Sequence, residues 1–333
     1  MNRSTQSSRC QSLHPPFPAD QSLVEQLNII QPAAIRTVLA TLIIPSQDLD
    51  SYLASELLTT RLSRLHKHLW LAGLPVPARP LHRQRLMKRT LVATERADEH
   101  LVWHEHRIFI KPLPEFLLCH AFWEAHLCTD HRLHASACGL LLSYAWLVAH
   151  RSDFAIAVTE GFLPPGITWE RWTAFACGVL AALDLDAMTD VDPRYHYGEL
   201  RLSRLDMLVR WPPFAPELWS PRNFVDGYMS SSTWYTAFFE RHFGWLLVGF
   251  GYVSVVLSAL QVGLTTNVLG ANKSFQNLGL GVTLTGLVAL VLALSAMVTV
   301  WVVLFCYHVL STIIFDRRMR LERIRRAQPH RGK

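Results

Sequence analysis

Cys119, His120, His126, Cys128, His131, His134 and Cys138 crowd into one short stretch of the chain. Imidazole nitrogen and thiolate sulfur are the donors that zinc prefers. A turn could bring His126 and Cys128, or His131 and His134, onto one cation. The spacing follows no standard zinc pattern, however, and Cys138 opens an apolar stretch. The competing reading makes these residues packing and surface groups on helices, and no cofactor is expected.

Ser143, His150 and Asp153 supply the residue types of a hydrolase triad. Types alone do not make one, because geometry defines a triad. No Gly-x-Ser-x-Gly elbow occurs, and Ser143 lies inside an apolar run. Phosphate-binding, dinucleotide, zinc-protease and calcium-loop motifs are also missing from the sequence. A third group sits between Arg194 and Asp206. Read as a helix over 197–210, it turns Leu202, Leu205 and Val209 one way and Arg201 and Arg204 to a neighbouring face. These arginines could bind an acidic ligand, or form a salt-bridged face with Glu199 and Asp206.

The elements that would position these groups read as mainly α with a small β hairpin or meander. Residues 1–20 are expected to be disordered. A helix is expected from about Asp48 to about His68, capped by Ser46. Gly73 to Pro80 holds three prolines and must be extended. Strands are expected at 90–94, 100–103 and 107–111, with His104, Glu105 and His106 as a hairpin turn. Pro114 can start a helical region. The run from His134 to Ala149 is too short to span a bilayer and reads as the buried central helix. Further helices are expected at 153–160 and 168–183.

Half of the 333 residues are hydrophobic and only 17% are charged. Residues 316–333 hold eight basic and two acidic groups, which accounts for the whole net charge of +6. The remainder is balanced, so no basic face for nucleic acid is expected. Six scattered cysteines without a CxxC pair suggest reduced thiols, and the polar start of the chain has no secretory pattern.

Residues 243–264 and 280–306 carry no charge, and each reaches the roughly 20 residues that cross a hydrocarbon core. The expected layout is a cytosolic α+β domain at 21–227 and a helix at 228–242 leading to the membrane. Two transmembrane helices follow at 243–264 and 280–306, joined by a non-cytosolic loop at 265–279. A basic cytosolic tail occupies 307–333. The excess of basic residues beside the tail sets that orientation. Ser254, Ser258, Gln261 and Thr265 share one face of the first span. They could serve helix packing or line a pore. No acid or base interrupts either span, which disfavours a proton relay. Arg317, Arg318, Arg320 and Arg323 could meet anionic lipid headgroups. The partners expected are membrane lipid and, as a further possibility, other copies of the chain.

The stretch Leu69 to Gln84 resembles a signature of a fungal family of uncharacterised two-span membrane proteins, a domain of unknown function. So do His100 to Trp103, Phe109 to Pro114, Tyr197 to Leu205 and Gln261 to Leu264. The resemblance covers most of residues 45–310. Asp206 departs from an expected Asn, and Leu260 from an expected Met. The resemblance implies a filamentous-fungal source and two spans, and carries no activity. In layout the chain is distantly similar to CorA-type magnesium channels. Those carry Gly-Met-Asn after the first span, where this chain has Gln261, Val262 and Gly263.

The reading that needs least is a membrane-anchored cytosolic scaffold or regulatory domain. The alternatives are a subunit of an oligomeric CorA-like channel or transporter, and a membrane-anchored metal-dependent enzyme.

Overall fold

The computed structural model describes residues 13–25, 32–36, 42–210, 227–229, 234–265 and 272–292, together with 295, 299, 302, 303, 306, 310 and 317. The chain divides into two units, Met1–Ser231 and Ser232–Lys333.

The first unit opens with packed chain. Phe17 is buried against Phe175, with ring centroids 4.7 Å apart. The part of residues 1–20 that is described, from Leu13 onward, is therefore ordered: a large aromatic side chain draws it into the core. Ile35–Arg36 (β1) and Leu42–Ile43 (β2) pair antiparallel. The single helix expected from Asp48 to His68 is instead three pieces. Leu49–Leu57 (α1) is capped by Asp48, whose carboxylate accepts the Ser51 N–H at 3.0 Å. Ser46 is not the cap. Leu58 then turns extended, Thr60–Leu65 (α2) follows, and His66–Leu71 tightens to a 3-10 helix. At the break, buried Thr59 meets the Asp192 carboxylate and the Ser63 hydroxyl.

After the proline-rich stretch come Leu81–Leu86 (α3) and Thr90–Ala93 (β3), then Val102–His104 (β4) and Arg107–Ile110 (β5). The last two form a hairpin whose tip is Glu105 and His106, with Glu105 at φ 52°. The sheet is mixed rather than a meander. Its order is β3-β5-β4-β6, where β6 is Leu200–Arg201. β3 pairs parallel to β5, and β6 pairs parallel to β4. The helix expected over 197–210 thus begins only at Leu202. The free edge of β4 takes the preceding residues as a strand, satisfying backbone groups that a helix would have left to itself.

His120–Phe122 (α4) passes into a single π turn at Trp123–Leu127. His131–Leu147 (α5) is buried along most of its length, since apolar and small residues occupy nearly every turn and leave no polar stripe. Arg151–Thr159 (α6), Trp169–Ala182 (α7) and Leu202–Arg210 (α8) complete the unit. Together α5 and α6 are apolar enough to cross a membrane, but they bend by 116° and α5 is the core of this unit. The sheet lies between two cores. Ile108 and Ile110 face the larger one around α5, while Val102 and Leu200 face a smaller one with α2 and α8. Tyr228, expected to open the helix into the membrane, is instead buried in the smaller core. Its hydroxyl donates to the Asp98 carbonyl at 2.7 Å.

In the second unit, Trp234–Thr265 (α9) is a 32-residue helix, and Lys273–Leu292 (α10) is a second apolar helix. Both are long and apolar enough to cross a membrane. At 1.5 Å per residue, α9 reaches about 48 Å, more than the roughly 30 Å of a hydrocarbon core. The second helix starts well before residue 280. Asn272 caps it by accepting the Ser274 N–H at 3.0 Å, so its first turns are polar.

A buried imidazole ties the first unit together. His100 Nδ1 accepts the Lys111 backbone N–H at 3.0 Å, so its proton sits on Nε2 and is donated to Ser143 Oγ at 2.8 Å. Burial, aided by Arg194 and Lys111, holds the His100 pKa well below the usual histidine value of 6.5. The unfolded chain takes up a proton as the pH falls through 6.5, and the folded chain does not. This group's stabilisation is therefore full above pH 6.5 and is lost below it, by about 1.4 kcal/mol per pH unit. The His100→Asn variant should be less stable at pH 7.5, and the gap to the unaltered protein should narrow at that rate from pH 6.5 to 5. Urea unfolding of the full chain at each pH measures it. A gap independent of pH would mean that His100 is not buried neutral.

Candidate functional site

The proline-rich stretch and the strand β6 zip together by backbone hydrogen bonds. Gly198 N–H donates to the Val76 carbonyl at 3.0 Å, and Arg201 N–H to the Ala72 carbonyl at 2.9 Å. Two glycines permit this. A Cβ on Gly73 would strike the Glu199 carbonyl, and one on Gly198 would strike the backbone of Val76 to Ala78. Proline keeps the stretch extended, and glycine lets the two backbones touch.

Glu199 is held at this seam. Its Oε2 accepts Arg89 at 2.6 Å. Its Oε1 accepts the Gln84 amide at 2.8 Å and the Arg79 backbone N–H at 3.1 Å, and lies 3.3 Å from the Arg79 guanidinium. Arg89 also donates to Gln84 Oε1 at 2.8 Å, closing a three-residue ring. The Arg89 and Glu199 side chains are each only 8% exposed. Arg89 stacks over the Trp103 ring at 4.3 Å, and Arg201 over the same ring at 5.2 Å.

A pocket of about 190 Å³ opens beside this ring. Arg79, Trp103, Glu199, Arg201 and Arg204 line it. Arg201 and Arg204 are exposed, and Arg204 donates to the Leu71 carbonyl at 3.1 Å. The sequence pattern put Glu199, Arg201 and Arg204 on one helix. The structure brings the three to one pocket, but Arg201 arrives on a strand and Glu199 pairs with Arg79 and Arg89 rather than with either. Asp206 instead accepts the Tyr228 backbone N–H at 2.7 Å. Trp103, Arg79 and Arg89 escaped the sequence pattern, because the contacts that recruit them span about a hundred residues or more. Only the proline and glycine spacing hinted at it.

The histidine and cysteine stretch is dispersed. His134 Nε2 donates to the His14 carbonyl at 2.8 Å, and its Nδ1 lies 3.7 Å from Cys138 Sγ. Burial raises the Cys138 pKa far above the ordinary thiol range, which disfavours the thiolate a metal needs. Burial likewise raises that of Cys128, with Glu124 adding to it. His126 packs on Phe122 at 4.8 Å. His131 is exposed on the rim of a second cavity of about 660 Å³, beside Asp192 and His196. Among the described residues, one group of three or more could hold a metal ion, and it is His82, His150 and Asp153.

Ser143 cannot act as a triad nucleophile here. His100 donates to it rather than accepting from it, and its own proton goes to the Leu140 carbonyl at 2.6 Å. In the second unit, Ser254, Ser258, Gln261 and Thr265 are exposed. Ser254 and Ser258 donate to carbonyls four residues back, at 2.9 Å each, and Thr265 to Val262 at 2.7 Å. Val253, Val256 and Leu257 line a cleft with Gly281, Gly286 and Ala289 of α10 instead. Arg317 is helical and exposed, while Arg318, Arg320 and Arg323 lie outside the described residues.

Fold and site together define a mainly helical protein: one domain with an arginine-lined pocket, and a pair of apolar helices. The chain belongs to a family of unknown function (DUF6601), whose family model matches residues 49–290. No curated protein and no solved structure matches it.

Removing one member of a buried ion pair leaves the other charge without compensation, at a cost of about 3–5 kcal/mol. Glu199→Gln keeps the shape but strands Arg89. The melting temperature of the full-length protein in detergent should fall by about 6–12 °C. A circular-dichroism melt reads this, and a fall under about 2 °C would show that the ring contributes little.

Proposed function

We propose that this is a membrane-anchored binding protein, in which α9 and α10 hold the chain in a bilayer and the domain before them works as a scaffold or regulator on the cytosolic side. The observation that carries this reading is the imbalance in the pocket. Arg79, Arg201 and Arg204 line it with Glu199 as its one acid, and both Glu199 oxygens are already taken, one of them by the Arg89 side chain behind the pocket. The pocket therefore carries a surplus of positive charge that its own residues do not neutralise. A phosphate or carboxylate group of a ligand or partner would complete it.

Each exposed guanidinium about 4 Å from such an anion contributes about 1 kcal/mol in water, and up to about 4 kcal/mol where the surroundings exclude it. Trp103 seats the Arg89 and Arg201 guanidinium groups over its ring and so fixes where Arg201 presents its charge. In the second unit, hydroxyls that bond back to their own helix support an anchor rather than a hydrated pore. Anionic lipid remains the expected partner of the basic tail.

Titration calorimetry of the detergent-solubilised full-length protein with inorganic phosphate tests the pocket. One saturable site per chain is expected, weakening as salt is added. The Arg201→Gln/Arg204→Gln double variant should bind at least tenfold more weakly while melting within a few degrees of the unaltered protein. Equal binding by the double variant, or no saturable binding at all, would sink this reading.

A further inference from the structure

On another part of the first unit, Asp153 is fully buried, and the starts of two helices meet on it. Its Oδ1 accepts the His82 backbone N–H at 2.7 Å and lies 2.9 Å from His82 Nδ1. Its Oδ2 accepts the His150 backbone N–H at 2.9 Å and lies 3.2 Å from His150 Nδ1. His150 is the N-cap of α6 and Asp153 is its third residue, so the two form a capping box. His82 sits in the first turn of α3. The two imidazoles stand edge to face, with centroids 5.2 Å apart and planes at 87°. One ligand-type atom from each of the three residues lies within 4.8 Å of the others.

We propose that His82, His150 and Asp153 form a binding site for a divalent transition-metal cation, which would take the place of the protons between the imidazoles and the carboxylate. The His82 and His150 Nδ1 atoms both face the Asp153 carboxylate, at 2.9 and 3.2 Å, and two imidazoles with one carboxylate are a donor set that such cations accept. The backbone N–H groups of His82 and His150 use one lone pair on each carboxylate oxygen, which leaves a second on each toward the rings. The side chains grade outward, from 0% exposed at Asp153 to 32% at His82 and 64% at His150. A cation can therefore reach the ring nitrogens from solvent.

Two imidazoles select zinc, copper, nickel or cobalt over magnesium and calcium, which want oxygen. With three protein ligands the remaining position holds water, which makes the site open rather than a closed structural zinc site.

The alternative is a helix clamp with no metal, and titration separates the two. Untagged full-length protein in detergent, stripped with chelator, is titrated with Co²⁺ while visible d–d absorption and native mass are recorded. One cobalt per chain is expected, with absorption bands of nitrogen ligation. His82→Gln and His150→Asn should each weaken binding at least tenfold. Asn keeps the helix cap at 150, and near-ultraviolet circular dichroism confirms that each variant is folded. Asp153→Asn, which removes the anionic ligand, should weaken binding at least tenfold. No stoichiometric uptake, or uptake that survives the His82→Gln/His150→Asn double variant, overturns the proposal and leaves only the clamp.

Discussion

Burying an imidazole that can find no water forces a single arrangement on everything around it. His100 offers one acceptor and one donor, and both must be met inside the domain. The acceptor fixes the end of β5 through Lys111, and the donor fixes α5 through Ser143. The His100 carbonyl receives the buried Arg194 guanidinium at 2.7 Å, which pins the turn before β6. Lys111, itself fully buried, reaches Glu56 of α1 at 2.6 Å. The ring itself therefore ties β5 to α5, and the groups beside it extend the network to the turn before β6 and to α1. If any moves, a buried polar group is left without a partner.

That dependence explains which parts of the fold were legible in the sequence. Periodicity and caps are local, so α5 through α7 and the hairpin around Glu105 were readable from composition and turn residues. Thr168 caps α7 where a helix start was expected, its hydroxyl accepting the Arg171 N–H. Contacts between distant segments left no such trace. The first helix breaks at Thr59, which meets Asp192 from 133 residues away. Arg201 became a strand because β4 had an edge to fill. Tyr228 belonged to the smaller core because Asp98, Asp206 and Arg61 were waiting for it. In the last two cases local propensity lost to a polar group that needed a partner.

The candidate sites divide in the same way. The histidines and cysteines near position 130 drew attention because they are close in sequence, with packing the competing reading. The structure puts His134 beside Cys138 and His126 on Phe122, and burial raises the pKa of Cys128 and Cys138. His82 and His150 were hidden because a buried carboxylate, and not sequence spacing, brings them together. Glu199 and Arg204 were noticed as a charged face, but the Trp103 ring and the Arg89 partner were not. What the pattern lacked was the close approach of backbones that Gly73 and Gly198 allow.

Glu199 and Asp153 are both carboxylates with every oxygen engaged, and the difference in their partners decides what each can do. Asp153 is bonded by neutral backbone N–H groups at two helix starts and faced by two imidazoles, the setting proposed above for a cation. Glu199 is bonded by two guanidinium groups as well as the Gln84 amide and a backbone N–H. It cancels one positive charge and fixes the geometry of its arginines, the setting proposed above for an anion. A carboxylate is thus a structural element in both places, and the charge of its partners sets the sign of the ligand that the surface beside it would accept.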